Sequence, residues 1–316
     1  MQNKRKVAFV TGASGRLGSR LCKLLVSSGY EVRALVVSKE VINDLPAGVV
    51  PFVGTLDDMQ VLYDACKGAD IVVHTAALVT SSGKVSDIKR VNVDGTANLL
   101  DACAKGSCGR IVFSSSIDVY GRKRSGVITE QTKPKPSDKY GYSKLMAERE
   151  IINSGIAYVI FRIATIYGPG FERSFFKVFK AIAKGKISII GKGSNHLAIV
   201  HINDVLKAYA LAIGNDAALN NIFNLSDGVA YTQEGLIDAA ADMLHAARPK
   251  SHVSAALVAL LAKKRGLDSD ELRFLTSDRI IDISKIKSML GFEPSVSIQQ
   301  GGAELVSMFI KKEPIL

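Results

Sequence analysis

The chain of 316 residues carries 47% hydrophobic and 22% charged residues, so it is neither disordered nor fibrous and can build one large or two modest domains. No uninterrupted apolar run approaches the roughly 20 residues that a membrane helix needs, so no membrane span is expected. The formal charge of +11 suits an anionic partner, but the basic residues are dispersed apart from short clusters at Lys4–Lys6, Arg122–Arg124 and Lys263–Arg265. Without an aromatic-interleaved basic stripe, no nucleic-acid partner is expected.

The chain opens with "MQNKRKVAFV", whose apolar run stops at Thr11-Gly12 with no small-residue cleavage site after it. It does not read as a signal peptide, and a cytoplasmic location is expected. Valine- and isoleucine-rich runs then alternate with amphipathic stretches: "KVAFVTG", "RLGSRLCKLLVSSG", "EVRALVV", "ADIVVHTAA", "IKRVNVDGTANLLDACAKG" and "RIVFSSS". Strands apolar on both faces and joined by helices predict a parallel sheet sandwiched between helical layers. After "YVIFRIATIYGPG" the rhythm loosens into separate helices, a short "KISII" strand and "HINDVLKAYALA". With no internal repeat and no low-complexity linker, this second part reads as woven onto the first.

Within "VAFVTGASGRLGSRL", Gly12, Gly15 and Gly18 lie between a strand and a helix. This spacing permits a tight turn and lets a pyrophosphate approach a helix N-terminus, where free N–H groups and the helix dipole favour anions. Opening the first βαβ unit of a parallel-sheet protein, it predicts a dinucleotide site. The end of the second strand should read the adenosine ribose, and a carboxylate there selects NAD. "VRALVVSKE" places Val37, Ser38 and Lys39 at that tip, with Arg16 in the glycine loop. Ser38, Lys39 and Arg16 could hold a 2'-phosphate, so NADP is favoured over NAD; solvated surface charges are the alternative reading.

The stretch "SDKYGYSKLMAERE" reads as a helix capped by Ser137 or Asp138. Residues four apart share a helical face, so Tyr140 and Lys144 point the same way. Tyr142 is followed four residues later by Met146 and forms no such pair; it should line the site or pack the helix. Cys22, Cys66, Cys103 and Cys108 include no C-x-x-C pair and no His at finger spacing, so neither structural zinc nor a disulfide framework is expected, and no metal site.

The segments "TGASGRLG", "GTLDD", "VVHTAA", "VNVDGTANLLDAC", "VFSSSIDVYG", "YGYSK", "FRIATIYGPG", "VHINDV" and "ISKIKSMLGFEP" come in an order that resembles the extended branch of the short-chain dehydrogenase/reductase superfamily. That branch holds epimerases, dehydratases and hydroxysteroid-dehydrogenase-like enzymes. The resemblance implies an α/β fold: a Rossmann doubly wound parallel sheet over residues 1–170, rejoined by 199–226. A smaller interwoven substrate-binding region would take 171–198 and 227–316, and the assembly would be a homodimer. It also implies a catalytic pair, Tyr140 and Lys144. A phenol with a pKa near 10 is a poor base at neutral pH, and a nearby cation lowers that pKa. Tyr140 would then exchange the proton of a hydroxyl or carbonyl oxygen.

By the same resemblance Ser116 hydrogen-bonds the reacting oxygen, while Ser114 and Ser115 lie near the nicotinamide; a strand end that merely caps the next turn is the alternative. Ser14 and Leu17 belong to the glycine loop. Leu56 would lie beside the adenine, since Thr55 replaces the acid of the related element. Ala76 and Ala77 let backbone approach the cofactor, Asn92 is cofactor-proximal, and Lys144 also contacts the nicotinamide ribose. His74, in a buried-strand pattern, reads as a satisfied core histidine, and His201 and Asp204 as structural.

Nucleotide-sugar members carry an arginine a few residues before "VH-x-x-D", at a position matching Leu197, and no arginine occurs between Gly191 and His201. Phe175, Phe176, Phe179 and an apolar helix over Ala255–Ala262 could instead line a hydrophobic cleft. These features imply an NAD(P)-dependent oxidoreductase acting on a small-molecule secondary alcohol or ketone. The alternatives are a nucleotide-sugar epimerase or dehydratase with tightly held NAD, and a noncatalytic cofactor-sensing or RNA-binding relative.

Overall fold

The computed structural model describes residues 5–79, 84–258 and 270–312. Seven strands form its main sheet: β1 (Val7–Thr11), β2 (Glu31–Val36), β3 (Val49–Val53), β4 (Ile71–His74), β5 (Ile111–Ser116), β6 (Tyr158–Ile163) and β7 (Asn221–Leu225). Their order is β7-β6-β5-β4-β1-β2-β3, and every pairing is parallel. The central strands β1, β4 and β5 are buried along their whole length, which is why they read as continuous apolar runs. β3 has only half-buried and exposed positions and carries Pro51, tolerated because this strand forms the sheet edge.

Helices cover both faces. On one side α1 (Gly18–Ser27) contributes Leu21, Cys22 and Leu25 to a core shared with α6 (Ile202–Ala212). On the other, α2 (Met59–Cys66), α3 (Gly95–Gly106) and α4 (Lys139–Asn153) bury Leu62, Leu99, Ala147 and Ile151 against Phe9, Phe113 and Ile160. The strand order reverses between β1 and β4, which opens a crevice at the carboxyl edge of the sheet.

The remaining residues build a smaller layer over that edge. The strand Thr165–Tyr167 pairs with Ile199–His201, and Lys123–Ile128 with Asp278–Ile281. Helices α5 (Arg173–Ala183), α7 (Gln233–Met243) and α8 (Ile298–Lys312) close around an apolar cluster that includes Phe179, Leu305, Val306 and Phe309. The helix expected over Ala255–Ala262 is described only as far as residue 258; the rest lies outside the described residues. Among the described residues, no helix is long and apolar enough to cross a membrane.

Candidate active site

Between β1 and α1 the chain turns through Gly12, which adopts φ +70°; a Cβ there would sit 2.7 Å from both the Ala76 nitrogen and the Thr75 hydroxyl. A Cβ on Gly18 would overlap the Gly12 carbonyl. The loop therefore packs backbone against the end of β4, with Ala76 and Ala77 half-buried beside it. Ser14, Gly15 and Arg16 are exposed, Leu17 packs on the core, and no acid occupies the first turn of α1. A cradle with glycine at three positions and no acid, at a helix N-terminus, fits the pyrophosphate of a dinucleotide.

The tip that follows β2 is open, with Val37 67% exposed, Lys39 exposed and Ser38 half-buried. A hydrogen bond from Ser38 holds the Glu40 carboxyl below its usual range. Arg16, expected to join Ser38 and Lys39, has its guanidinium 5.5 Å from the centre of the Phe171 ring. The Arg20 guanidinium lies on the same ring and donates to the Arg16 carbonyl at 2.8 Å. Leu56 is buried, and its carbonyl is taken by Asn98 at 2.9 Å.

α4 begins where Asp138 accepts a hydrogen bond from the Gly141 nitrogen at 2.8 Å. A Cβ on Gly141 would overlap the Asp118 carbonyl, so glycine lets the first turn of α4 seat against the turn that follows β5. This contact carries Tyr140 to the wall of a cavity of about 280 Å³, half-buried. Lys144, one turn on, is 2% exposed, and its ammonium lies 4.3 Å from the centre of the Phe113 ring. Burial pulls its pKa down to about 7, against the opposing charge of Glu148. In the protein free of dinucleotide, burial, then the carboxylates of Asp118 and Asp138, push the pKa of the Tyr140 phenol well up. In this state Tyr140 holds its proton. Tyr142 is 58% exposed and neither lines the cavity nor packs the helix.

The three serines that end β5 have separate partners. Ser114 shares a 2.5 Å hydrogen bond with the Tyr209 hydroxyl, and Ser115 donates to Glu148 at 2.5 Å. Alternation along a buried strand turns both into the two helical layers, where their hydroxyls have structural partners. Ser116 accepts from the Asp118 nitrogen at 3.1 Å, capping the next turn while keeping its own O–H as a donor. Asn92, expected near the cofactor, spends its amide on the Leu78 nitrogen at 2.7 Å, the Leu78 carbonyl at 3.2 Å and Ser143 at 2.9 Å. It staples the loop after β4 to α4.

His74 is fully buried between the hydroxyls of Thr11 and Thr96, at 2.7 and 2.9 Å, and burial with the Lys144 charge pulls its pKa to about 3. It is a neutral core histidine. His201 caps α6 and faces Glu304 at 3.2 Å, and Asp204 holds Ser295 and Val296. Both act structurally.

The cavity beyond Tyr140 has apolar walls, among them Phe175, Phe179, Leu197, Leu236, Met243 and Leu305. Phe176 instead packs on Phe179 and Phe309. Near Tyr140 the lining becomes polar, with Asp118, Arg122, Asp138 and Arg279. The Nη1 of Arg279 donates to Asp118 at 2.6 Å, whereas its buried Nε has no hydrogen-bond partner among the described residues. The sequence reading missed both members of this pair. Asp118 stands two residues after Ser116, but Arg279 is 161 residues further on and reaches the cavity only because strand 278–281 pairs with strand 123–128.

The family model of the NAD dependent epimerase/dehydratase family matches residues 8–226. The chain is 27% identical to the UDP-glucose 4-epimerase of Vibrio cholerae, over 97% of this chain and 96% of that protein. It is 30% identical to the decarboxylating sterol-4-alpha-carboxylate 3-dehydrogenase of Dictyostelium discoideum, over 71% of this chain and 72% of that one. Among solved structures, MoeE5 in complex with UDP-glucose and NAD superposes with a TM-score of 0.77 at 26% identity, covering 96% of this chain and 98% of MoeE5.

Proposed function

Since the chain belongs to the NAD dependent epimerase/dehydratase family and is an enzyme, we propose that it moves hydride between a nicotinamide dinucleotide and a secondary alcohol or ketone on an apolar substrate. The observation that carries this reading is the cavity wall beside Tyr140. Leu197, where nucleotide-sugar members are expected to bring an arginine, is 1% exposed and lines that wall with Phe175, Phe179, Leu236 and Met243. A diphosphate brings about two negative charges that need bidentate partners or water, and this apolar part of the wall offers no cationic side chain, Arg122 and Arg279 standing on the polar side near Tyr140.

The dinucleotide, when held by the Gly12–Gly18 cradle, supplies or accepts the hydride. Tyr140 holds the transferable proton on its phenol oxygen and delivers it to a carbonyl oxygen during reduction. Ser116 keeps an O–H with which to donate to the same oxygen. Lys144, one turn from Tyr140 on α4, would in its cationic form favour the phenolate in the reverse direction. Arg279, tied to Asp118 through Nη1 but with Nε unpartnered, suits a carboxylate borne close to the reacting carbon. The substrate class is thus a hydrophobic keto or hydroxy acid, in keeping with the carboxylate named for the Dictyostelium relative. The open tip at Ser38 and Lys39 supports NADP over NAD.

Nucleotide-sugar epimerization is the second reading, favoured by the Vibrio relative and by the UDP-glucose in MoeE5. A panel of hydrophobic ketones, with and without a neighbouring carboxylate, separates the two when assayed beside UDP- and dTDP-sugars. Cofactor-dependent turnover of the ketones, strongest for the acids, is expected. A rise in melting temperature with a UDP-sugar well below millimolar concentration, without ketone turnover, would overturn the proposal, because a native-state ligand stabilises by mass action.

A further inference from the structure

We infer that Cys66, Cys103 and Cys108 form a binding site for a thiophilic divalent cation of the zinc class. The three come from two segments, α2 and the end of α3 with its following turn, and their sulfurs all lie within 4.8 Å of one another. Cys66 and Cys103 stand 3.8 Å apart at Sγ. With Zn–S bonds of about 2.3 Å, the edge between two sulfurs of a tetrahedron is about 3.8 Å, so two ligands already have that spacing. The third points its S–H at the Cys66 carbonyl, 3.3 Å away, and is half-buried, which leaves the fourth position on its side open to water.

The surroundings suit a cation. Cys66 is the last residue of α2, and Cys103 lies in the last turn of α3, so both helices aim the negative ends of their dipoles at the cluster. A Cβ on Gly106 would come within 2.9 Å of the Cys66 carbonyl, so this glycine is what lets the two helix ends meet. Binding converts three S–H groups to three sulfur–metal bonds and releases three protons to the buffer. Three thiolates, one divalent ion and one water then carry a net charge of −1. Arg33 sits beside that charge, donating to the Ala65 and Lys67 carbonyls at 3.1 and 2.8 Å on either side of Cys66.

The cluster lies at the amino edge of β4 and β5, opposite the edge that carries Tyr140, so the site is separate from the catalytic cavity. It escaped the sequence reading because 37 residues separate Cys66 from Cys103, and no C-x-x-C spacing announces them.

The full-length protein, reduced and stripped with chelator, is titrated with cadmium, whose thiolate bonds absorb in the ultraviolet. A thiolate-to-metal band that saturates at one equivalent is expected, together with proton release and slower alkylation of Cys108 in the metal-bound protein. Cys108→Ser should weaken binding at least ten-fold while turnover stays unchanged, and Cys22→Ser should alter neither. The alkylation readout on the unmutated protein remains decisive if a serine variant fails to fold. The inference is overturned by the absence of a thiolate band, or by a band and an alkylation rate that are indifferent to cadmium at Cys108. Binding that appears only without thiolate absorption also overturns it.

Discussion

Glu148→Gln tests the buried charge network beneath the catalytic helix. The Glu148 and Arg162 side chains are 1% and 4% exposed and joined at 2.7 Å, and the carboxylate also accepts from Arg162 Nε at 3.0 Å and Ser115 at 2.5 Å. The guanidinium continues to the Tyr120 hydroxyl at 2.8 Å, which donates to Asn224 at 2.8 Å, so one network ties α4 to β5, β6 and β7. Glutamine keeps the shape and one acceptor oxygen. Its amide nitrogen turns a donor toward a donor, and its neutrality leaves a buried guanidinium uncompensated. Breaking a buried pair on one side costs about 3–5 kcal/mol. With an unfolding entropy of about 2.1 cal/mol/K per residue, 316 residues give about 0.66 kcal/mol/K, so the melting temperature should fall by about 5–8 °C. Circular dichroism during thermal and urea unfolding measures the change. The paired replacement Glu148→Leu with Arg162→Met should recover part of the loss, since no lone guanidinium then remains, although the buried Lys144 loses the Glu148 charge. A Glu148→Gln protein within about 1 kcal/mol of the parent would refute the reasoning, because the guanidinium would have found compensation elsewhere.

Tyr140→Phe should cut turnover by about 10²–10⁴-fold, the usual worth of a positioned proton donor, and leave dinucleotide affinity within a few fold by calorimetry. Near-normal turnover would remove Tyr140 from the reaction. Lys144 gives a pH signature in the protein free of dinucleotide, since its folded pKa is pulled down to about 7 from an ordinary 10.5. Between those values the unfolded chain binds the extra proton, so stability should rise with pH across that window, and Lys144→Met should flatten the rise; superimposable curves would contradict the burial argument. Ser38→Asp should weaken NADP and strengthen NAD, through repulsion of the 2'-phosphate and a hydrogen bond to the ribose hydroxyl, and an unchanged preference in titrations with both cofactors would show that the 2' position is read elsewhere. Arg279→Met should raise KM for keto acids about ten-fold or more while leaving neutral ketones unaffected, the loss expected for a charge-assisted hydrogen bond of about 1.5–3 kcal/mol; equal effects on both would deny it the carboxylate.

Local chemistry made much of this protein legible from the sequence alone. Continuous valine and isoleucine runs announce strands buried on both faces, and the Gly12, Gly15 and Gly18 spacing announces a tight glycine-rich loop at a helix start. The four-residue spacing places Tyr140 and Lys144 on one helical face. Each of these signals is complete within about fifteen residues, because strand alternation, helical period and turn geometry are short-range properties. Tertiary structure alone decided what those side chains meet. It gave Ser114 to Tyr209 and Ser115 to Glu148, spent the Asn92 amide on the loop after β4, and drew Arg16 onto Phe171. It also brought Arg279 to Asp118 and three unmotifed cysteines to one point. Those pairings join residues up to 161 apart in sequence, through strand pairing and helix contact, and no local period encodes which distant backbone will arrive beside a given residue.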